Sequence, residues 1–373
     1  MTKTVVALVF GGRSSEHAIS CATAAGVLGA LDREHYDVLP LGITADGALT
    51  LQPDDAALFA LDADALPAVA DNGTRVHLPT SRMSREVSVV EAGSLRSLGD
   101  VDVVFPILHG PWGEDGTVQG LFDLIDLPYV GSGVLASALG MDKHVGKTVL
   151  RAAGIPVAPW CLVTPAMLAA DPGLGAACLA ELGLPAFVKP ARAGSSVGVS
   201  RVDAPEELAA ALELAFGSDD RVLIEAALVG RELEFGVLGG RNGAPARASV
   251  AGEIVVTSGG FYDFAAKYLG AGGAEVICPA AVTAAELDAL QRLAVATFEA
   301  LGCAGLSRVD FFLTADGPVV NEINTMPGFT PVSMFPTLWQ ASGLAYPDLI
   351  DELLDLAAER GAGLDARGAG SSR

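Results

Sequence analysis

The chain has 373 residues, of which 51% are hydrophobic and 18% charged, enough apolar material for two or three domains and too much for a wholly disordered polyelectrolyte. With 45 acidic against 23 basic residues the formal charge is −22. Such a surface repels phosphate backbones and anionic lipid headgroups, so neither nucleic acid nor a membrane is an expected partner.

From residue 4 the pattern runs strand (TVVALVF), glycine turn, helix from Ser15 to Leu31, then strand (YDVLPLGIT). This is a βαβ unit on a parallel sheet. A second buried strand, VDVVFPIL, ends at His109, so the first region is α/β, with residues 51 to 85 a variable excursion rich in Ala, Asp and Pro. One helix is predicted from Ala136 to Ala153, stopped by Gly154 and followed by a domain boundary at Ile155-Pro156. Short strands (PAFVKP, SVGVSRV, RVLIEAAL, ELEFGVLGG, ARASVAGEIVV) then alternate with the helix-like PEELAAALELAF, which predicts mixed or antiparallel sheets with helices on one face. Ala284 to Leu301 reads as a helix leading into two strands around Asp310 and Glu322, Leu344 to Arg360 as a closing helix, and the Gly- and Ser-rich end from Gly361 as a disordered tail. There is no repeat of fixed period.

Five scattered cysteines without a Cys-x-x-Cys pair suit a reducing compartment. No apolar run approaches the roughly 20 residues that span a bilayer, and a cytoplasmic location is expected.

Four segments carry chemistry. GGRSSEHAIS (11–20) sits where a strand hands over to a helix N-terminus, a place that offers amide donors to ligands. Its spacing is not that of a dinucleotide fingerprint. Glu16 in the first turn is favoured by the helix dipole, and it also suits a substrate ammonium or the orientation of a hydroxyl. HGPWGEDGT (109–117) is a glycine-rich turn with His109 at the strand end. FVKPARAGSSVGV (187–199) combines Lys189 with a loop of glycines and serines, which suits polyphosphate as well as a plain flexible turn, but lacks the Gly-Lys-Ser/Thr of a Walker loop.

The fourth, RVDFFLTADGPVVNEINTMPGFT (308–330), is the most informative. A three-residue loop, Ala315-Asp316-Gly317, pairs Thr314 with Pro318 and carries Asp310 opposite Glu322, with Asn324 and Arg308 on the same face by alternation. Facing carboxylates cost stability unless a cation lies between them, and oxygen ligands of this kind suit Mg²⁺ with substrate phosphates. The Arg308 fork suits a phosphate or a developing oxyanion, or an ion pair with Asp310.

Together these segments, with MDKHVGK, GRELEFGVLG, FYDFAAKY and NEINTMPGFTPVSMFP, resemble in order the D-alanine-D-alanine ligases of the ATP-grasp superfamily. The resemblance implies an α/β and α+β chain of three domains: an N-terminal α/β domain over 1–135 for the first substrate, a central ATP-grasp domain over 136–228, and a C-terminal one over 229–373 with a lid at about 257–275. It implies ATP, two Mg²⁺ ions with Mn²⁺ as a substitute, and a homodimer. The reaction implied joins two D-alanines through a D-alanyl phosphate, for peptidoglycan precursors. By position, Lys143, Lys189 and Lys267 resemble the ATP-phosphate contacts, and Glu225, Leu228 and Glu232 the adenine and ribose contacts. Asp310, Glu322 and Asn324 match the metal ligands. Glu16, Ser195 and Tyr268 resemble a hydrogen-bonded trio around the first D-alanine, Ser195 also facing ATP. Arg308 and the Gly328 amide match an oxyanion site, His109 the first-substrate pocket and Ser333 the second-substrate contact. Phe264 stands where tyrosine is common. Tyr268 is retained where ester-forming relatives commonly carry phenylalanine, which disfavours ester formation. The alternatives are a ligase taking D-serine or another second D-amino acid, and a catalytically silent ATP-binding protein.

Overall fold

The computed structural model describes residues 3–61, 65–256 and 274–370. Strands β1 (Thr4–Gly11), β2 (Tyr36–Ile43), β3 (Leu49–Leu51) and β7 (Val103–Ile107) form a sheet in the order β3-β2-β1-β7, with β1 parallel to both β2 and β7. Between them, β4 (Arg75–His77), β5 (Glu86–Glu91) and β6 (Ser94–Asp100) make a small antiparallel sheet, which accounts for part of the segment read as an excursion. Alternate residues of β1 enter different cores: Val6, Leu8 and Phe10 one, Ala7 and Val9 the other. A parallel strand covered on both faces reads as an unbroken apolar run for this reason. The helix His17–Ala30 follows β1, as expected.

The helix expected over 136–153 is two helices, Val134–Met141 and Lys143–Ala152. Asp142 breaks it: its backbone is extended and its carboxylate accepts from the Val145 amide at 3.0 Å, capping the second helix. Leu150 and Ile155 at the end of this segment pack with Leu233, Phe235 and Val309 of the largest sheet.

Strands β8 (Trp160–Val163), β9 (Ala186–Pro190), β10 (Ser200–Val202) and β11 (Val222–Ala226) form an antiparallel sheet in the order β10-β9-β11-β8, its inner face packed on helical Cys178, Leu179, Ala211 and Leu212. The largest sheet runs β15-β14-β12-β16-β17, from β12 (Gly230–Leu238), β14 (Gly252–Val256), β15 (Ala274–Ile277), β16 (Leu306–Thr314) and β17 (Gly317–Asn324), with the two-residue β13 (Arg247–Ala248) on β12. The Ala284–Ala300 helix covers one face through Leu290, Ala294 and Phe298. On the other face Gly236 lets the Met334–Ala341 helix close down, because a Cβ there would lie 2.6 Å from Trp339 Nε1.

The β16–β17 hairpin departs from expectation in an instructive way. Its loop has two residues, not three: Thr314 pairs with Gly317, whose φ of +119° an L side chain rarely adopts. That register would have misaligned the acids, but a bulge between Asp310 and Phe311 restores it and Asp310 does face Glu322. The C-terminus also differs. The last helix runs from Tyr346 to Gly370, where a disordered tail was expected from Gly361. Leu349, Ile350, Leu353 and Leu354 anchor it in the core, and a nucleated helix extends at one hydrogen bond per residue even through glycines.

Candidate active site

Two clefts meet between the sheets. The larger, about 510 Å³, is walled by β9 and β11 on one side and β12 and β16 on the other. On β9 the residues Ala186 and Val188 face the core, so Phe187 and Lys189 point into the cleft by alternation. On β11, Val222 and Ile224 face the core and Glu225 the cleft. Leu228 and Glu232 line the same cleft.

Glu225 is nearly buried and its carboxylate lies between two ammonium groups, 2.5 Å from Lys189 Nζ and 2.8 Å from Lys147 Nζ. Burial pushes its carboxyl up, but Lys189 and Lys147 outweigh that and hold it below the ordinary range. Burial pushes the Lys147 ammonium down, with Glu225 opposing. Lys143, one helical turn before Lys147, reaches the other way: its Nζ donates to Ala193 O at 2.7 Å and lies 3.6 Å from Glu322 Oε2.

At the waist, the registers β12–β16 and β16–β17 put Glu234, Asp310 and Glu322 in one row across three neighbouring strands. Directly opposed acids repel, so a cation must stand among them. Arg308 does: Nε and Nη2 donate to the two Asp310 oxygens at 2.7 Å each, and Nε lies 3.1 Å from Glu234 Oε2. Asn324, opposite Arg308, donates to Asp310 at 3.0 Å. Among the described residues no three His, Cys, Asp or Glu side chains could alone hold an ion. The set Asp310, Glu322 and Asn324 is two carboxylates and a carboxamide, hard oxygen donors of the kind that bind Mg²⁺ while leaving positions for phosphate oxygens and water. The residues fit the metal on that ground.

The smaller cleft, about 250 Å³, continues beyond the waist and is lined by Glu16, His109, Glu114, Arg308, Gly328 and Ser333, among others. Ser195 Oγ donates to Glu16 Oε1 at 2.7 Å, joining the β9–β10 loop to the N-terminal region. Ser195 and Ser196 both have left-handed backbones, at φ +50° and +59°. Gly110 has a φ of +73° that an L side chain rarely adopts, and a Cβ on it would lie 2.8 Å from Glu16 Oε2 and displace that carboxylate. His109 is buried, with Nδ1 3.1 Å from Met326 O and Nε2 3.4 Å from Thr23 Oγ1. Burial pushes its imidazole down, against the charge of Glu16. Glu114, which takes the Gly110 amide at 2.6 Å, is pushed up to about 8, first by burial and then by Glu16. Ser333 Oγ lies 2.7 Å from Thr330 Oγ1.

Of the residues singled out from sequence, all but Lys267 and Tyr268 line one of the two clefts. Those two, with Phe264 and most of the 257–275 lid, lie outside the described residues. Sequence reasoning missed Lys147, Glu234 and Glu114. The first had a signal, its place four residues after Lys143 in MDKHVGK, and the second alternates with Glu232 in ELEFG. Glu114 was indistinguishable from a loop acid.

Comparison with known proteins matches the chain in two parts. The family described as D-ala D-ala ligase N-terminus matches residues 5–132, and D-ala D-ala ligase C-terminus matches 149–355. A D-alanine–D-alanine ligase of Paenarthrobacter aurescens is 52% identical, with 96% of each chain covered. One of Mycolicibacterium smegmatis is 50% identical, with 97% of each covered. Among solved structures, the D-alanine-D-alanine ligase of Coxiella burnetii superposes with a TM-score of 0.82 at 33% identity, covering 98% of this chain and 97% of that one. The VanG D-Ala:D-Ser ligase of Enterococcus faecalis gives 0.81 at 34%, covering 95% and 100%. With both halves matched in order and an ATP-grasp fold shared with solved relatives, this chain belongs to the D-alanine–D-alanine ligase family.

Proposed function

We propose that the chain joins two D-alanines to D-alanyl-D-alanine at the expense of ATP, in the cytoplasm, supplying peptidoglycan synthesis. The observation that carries this is the contact of two clefts at a waist of facing acids: one has lysines for a polyphosphate, the other an acid and a histidine for an amino acid.

A carboxylate is a poor electrophile, so the first D-alanine must take the γ-phosphoryl group as an acyl phosphate, a step promoted by positioning and charge neutralisation. Lys143 and Lys189 hold the phosphates, with Lys267 of the lid closing on them. Glu225, Leu228 and Glu232 line the nucleoside end. Mg²⁺ ions, when bound by Asp310, Glu322 and Asn324, neutralise the phosphate charge that develops. Glu16 takes the ammonium of the first D-alanine, supported by Ser195 and Tyr268 and walled by His109. Ser333 meets the carboxylate of the second, which attacks as a free amine. The tetrahedral oxyanion falls to Arg308 and the Gly328 amide. Water would destroy the acyl phosphate, which gives a closing lid its purpose.

A homodimer belongs to the same proposal, supported by the exposed leucines Leu121, Leu124 and Leu135 on two helices that touch each other. The test of function is ADP release with product mass spectrometry on D-alanine, D-serine and D-lactate. D-alanyl-D-alanine with one ADP per dipeptide is expected. Stoichiometric ATP binding without turnover would favour a silent protein, and a mixed D-alanyl-D-serine product the other ligase.

A further inference from the structure

We propose that Lys147 is a positioning residue of the nucleotide cleft, a buried countercharge to Glu225 that leaves the charge of Lys189 available to a phosphate. This deepens the ligase reading and rests on it for the identity of the nucleotide.

Glu225 Oε1 stands 2.5 Å from Lys189 Nζ. A carboxylate so placed competes with any phosphate for that ammonium, and the pair alone carries no net charge. Lys147 changes the balance: its Nζ lies 2.8 Å from the other carboxylate oxygen, so the three groups together carry one positive charge. The excess can emerge only at Lys189. Lys147 is 3% exposed and does not line the cleft, whereas Lys189 does. The Trp160 ring lies 6.0 Å from Lys147 Nζ, at the outer edge of the cation–π range. The helix supplies the geometry. Lys143, Lys147 and Leu150 fall on one face, so the residue that anchors the helix in the core also fixes the depth of Lys147.

A merely structural ion pair would affect stability and treat every ligand alike. A countercharge acts on phosphate alone, and its loss is repaired by removing the acid it balances. Calorimetric titration of the full chain with ADP and with adenosine, on wild type, Lys147→Met, Glu225→Gln and the double variant, separates the two. Removing one unit charge at this range in a partly desolvated site should weaken ADP about tenfold or more in Lys147→Met. In Lys147→Met adenosine should stay within about twofold. Because Glu225 also borders the nucleoside end, the double variant is read by its ratio of ADP to adenosine affinity, which should recover most of the wild-type value. Equal losses for ADP and adenosine in Lys147→Met, or a double variant whose ADP-to-adenosine ratio is no higher than that of Lys147→Met, overturn the proposal. Should Lys147→Met fail to fold by thermal melting, the double variant carries the test: a ratio of ADP to adenosine affinity within about threefold of wild type is expected, and a tenfold fall in that ratio refutes it. Normal ADP binding without dipeptide formation would sink the ligase reading and leave this one standing.

Discussion

Replacing Arg308 by methionine separates what that side chain does for the fold from what it does for the reaction. Arg308 is 14% exposed and stands between Asp310 at 13% and Glu234 at 10%. Removing the cation leaves two nearly buried acids facing each other across β12 and β16, a cost of about 3–5 kcal/mol for breaking a buried pair. Losing one oxyanion donor costs about 2.7–4 kcal/mol more in the transition state, or about 10²–10³ in kcat. The two effects can be dissected because Glu234→Gln, added to Arg308→Met, removes one of the stranded charges. The double variant should regain much of the melting temperature and none of the turnover. Thermal unfolding and coupled ADP release at saturating D-alanine and Mg²⁺ make the comparison. If Arg308→Met keeps kcat within tenfold of wild type, the oxyanion assignment is wrong, and if the double variant melts no higher than the single, the row of acids is not what Arg308 stabilises.

Glu322→Ala should abolish Mg²⁺-dependent turnover while barely moving the melting temperature, since its side chain is 32% exposed; near-wild-type activity would remove the metal assignment. Ser195→Ala removes a hydrogen bond to a charged acceptor, worth about 1.5–3 kcal/mol, and should raise the KM of the first D-alanine by roughly 10- to 150-fold with a smaller change for ATP. Equal changes for both substrates would mean the bond only orders the loop. The Glu114 carboxyl is raised from 4.5 to about 8, so the stability it confers is complete below the lower value and drains away as pH rises to the upper one. Relative to wild type, Glu114→Gln should therefore gain stability steadily across that window; a pH-independent difference in melting temperature contradicts the burial of a neutral acid. Tyr268→Phe should relax the preference for an amine over a hydroxyl acceptor, read as D-alanyl-D-lactate by mass spectrometry, and unchanged selectivity would show that the trio is misread.

Much of the site was legible because it sits where local rules hold. The strand-glycine-helix start puts Glu16 at a cleft, and two-residue alternation puts Arg308, Asp310, Glu322 and Asn324 on one face. The turn was not legible. Ala315-Asp316-Gly317 permits a two- or a three-residue loop, and only the bulge beside Asp310, a property of the paired strands, decides which acids face each other. Lys147 was hidden for a similar reason. Its meaning depends on Glu225, which lies on β11 and comes near this helix only in the folded chain. The break at Asp142 was hidden by the good helix formers on either side, which read as one continuous helix. Glycine content misled at the C-terminus, where the apolar stripe from Leu349 to Ala357 outweighs composition.

The hydrogen bond from Ser195 to Glu16 ties a loop that borders the nucleotide to the wall of the amino-acid pocket. Any coupling carried by that bond must be symmetric at equilibrium: whatever factor ATP contributed to holding the amino acid, the amino acid would return to ATP.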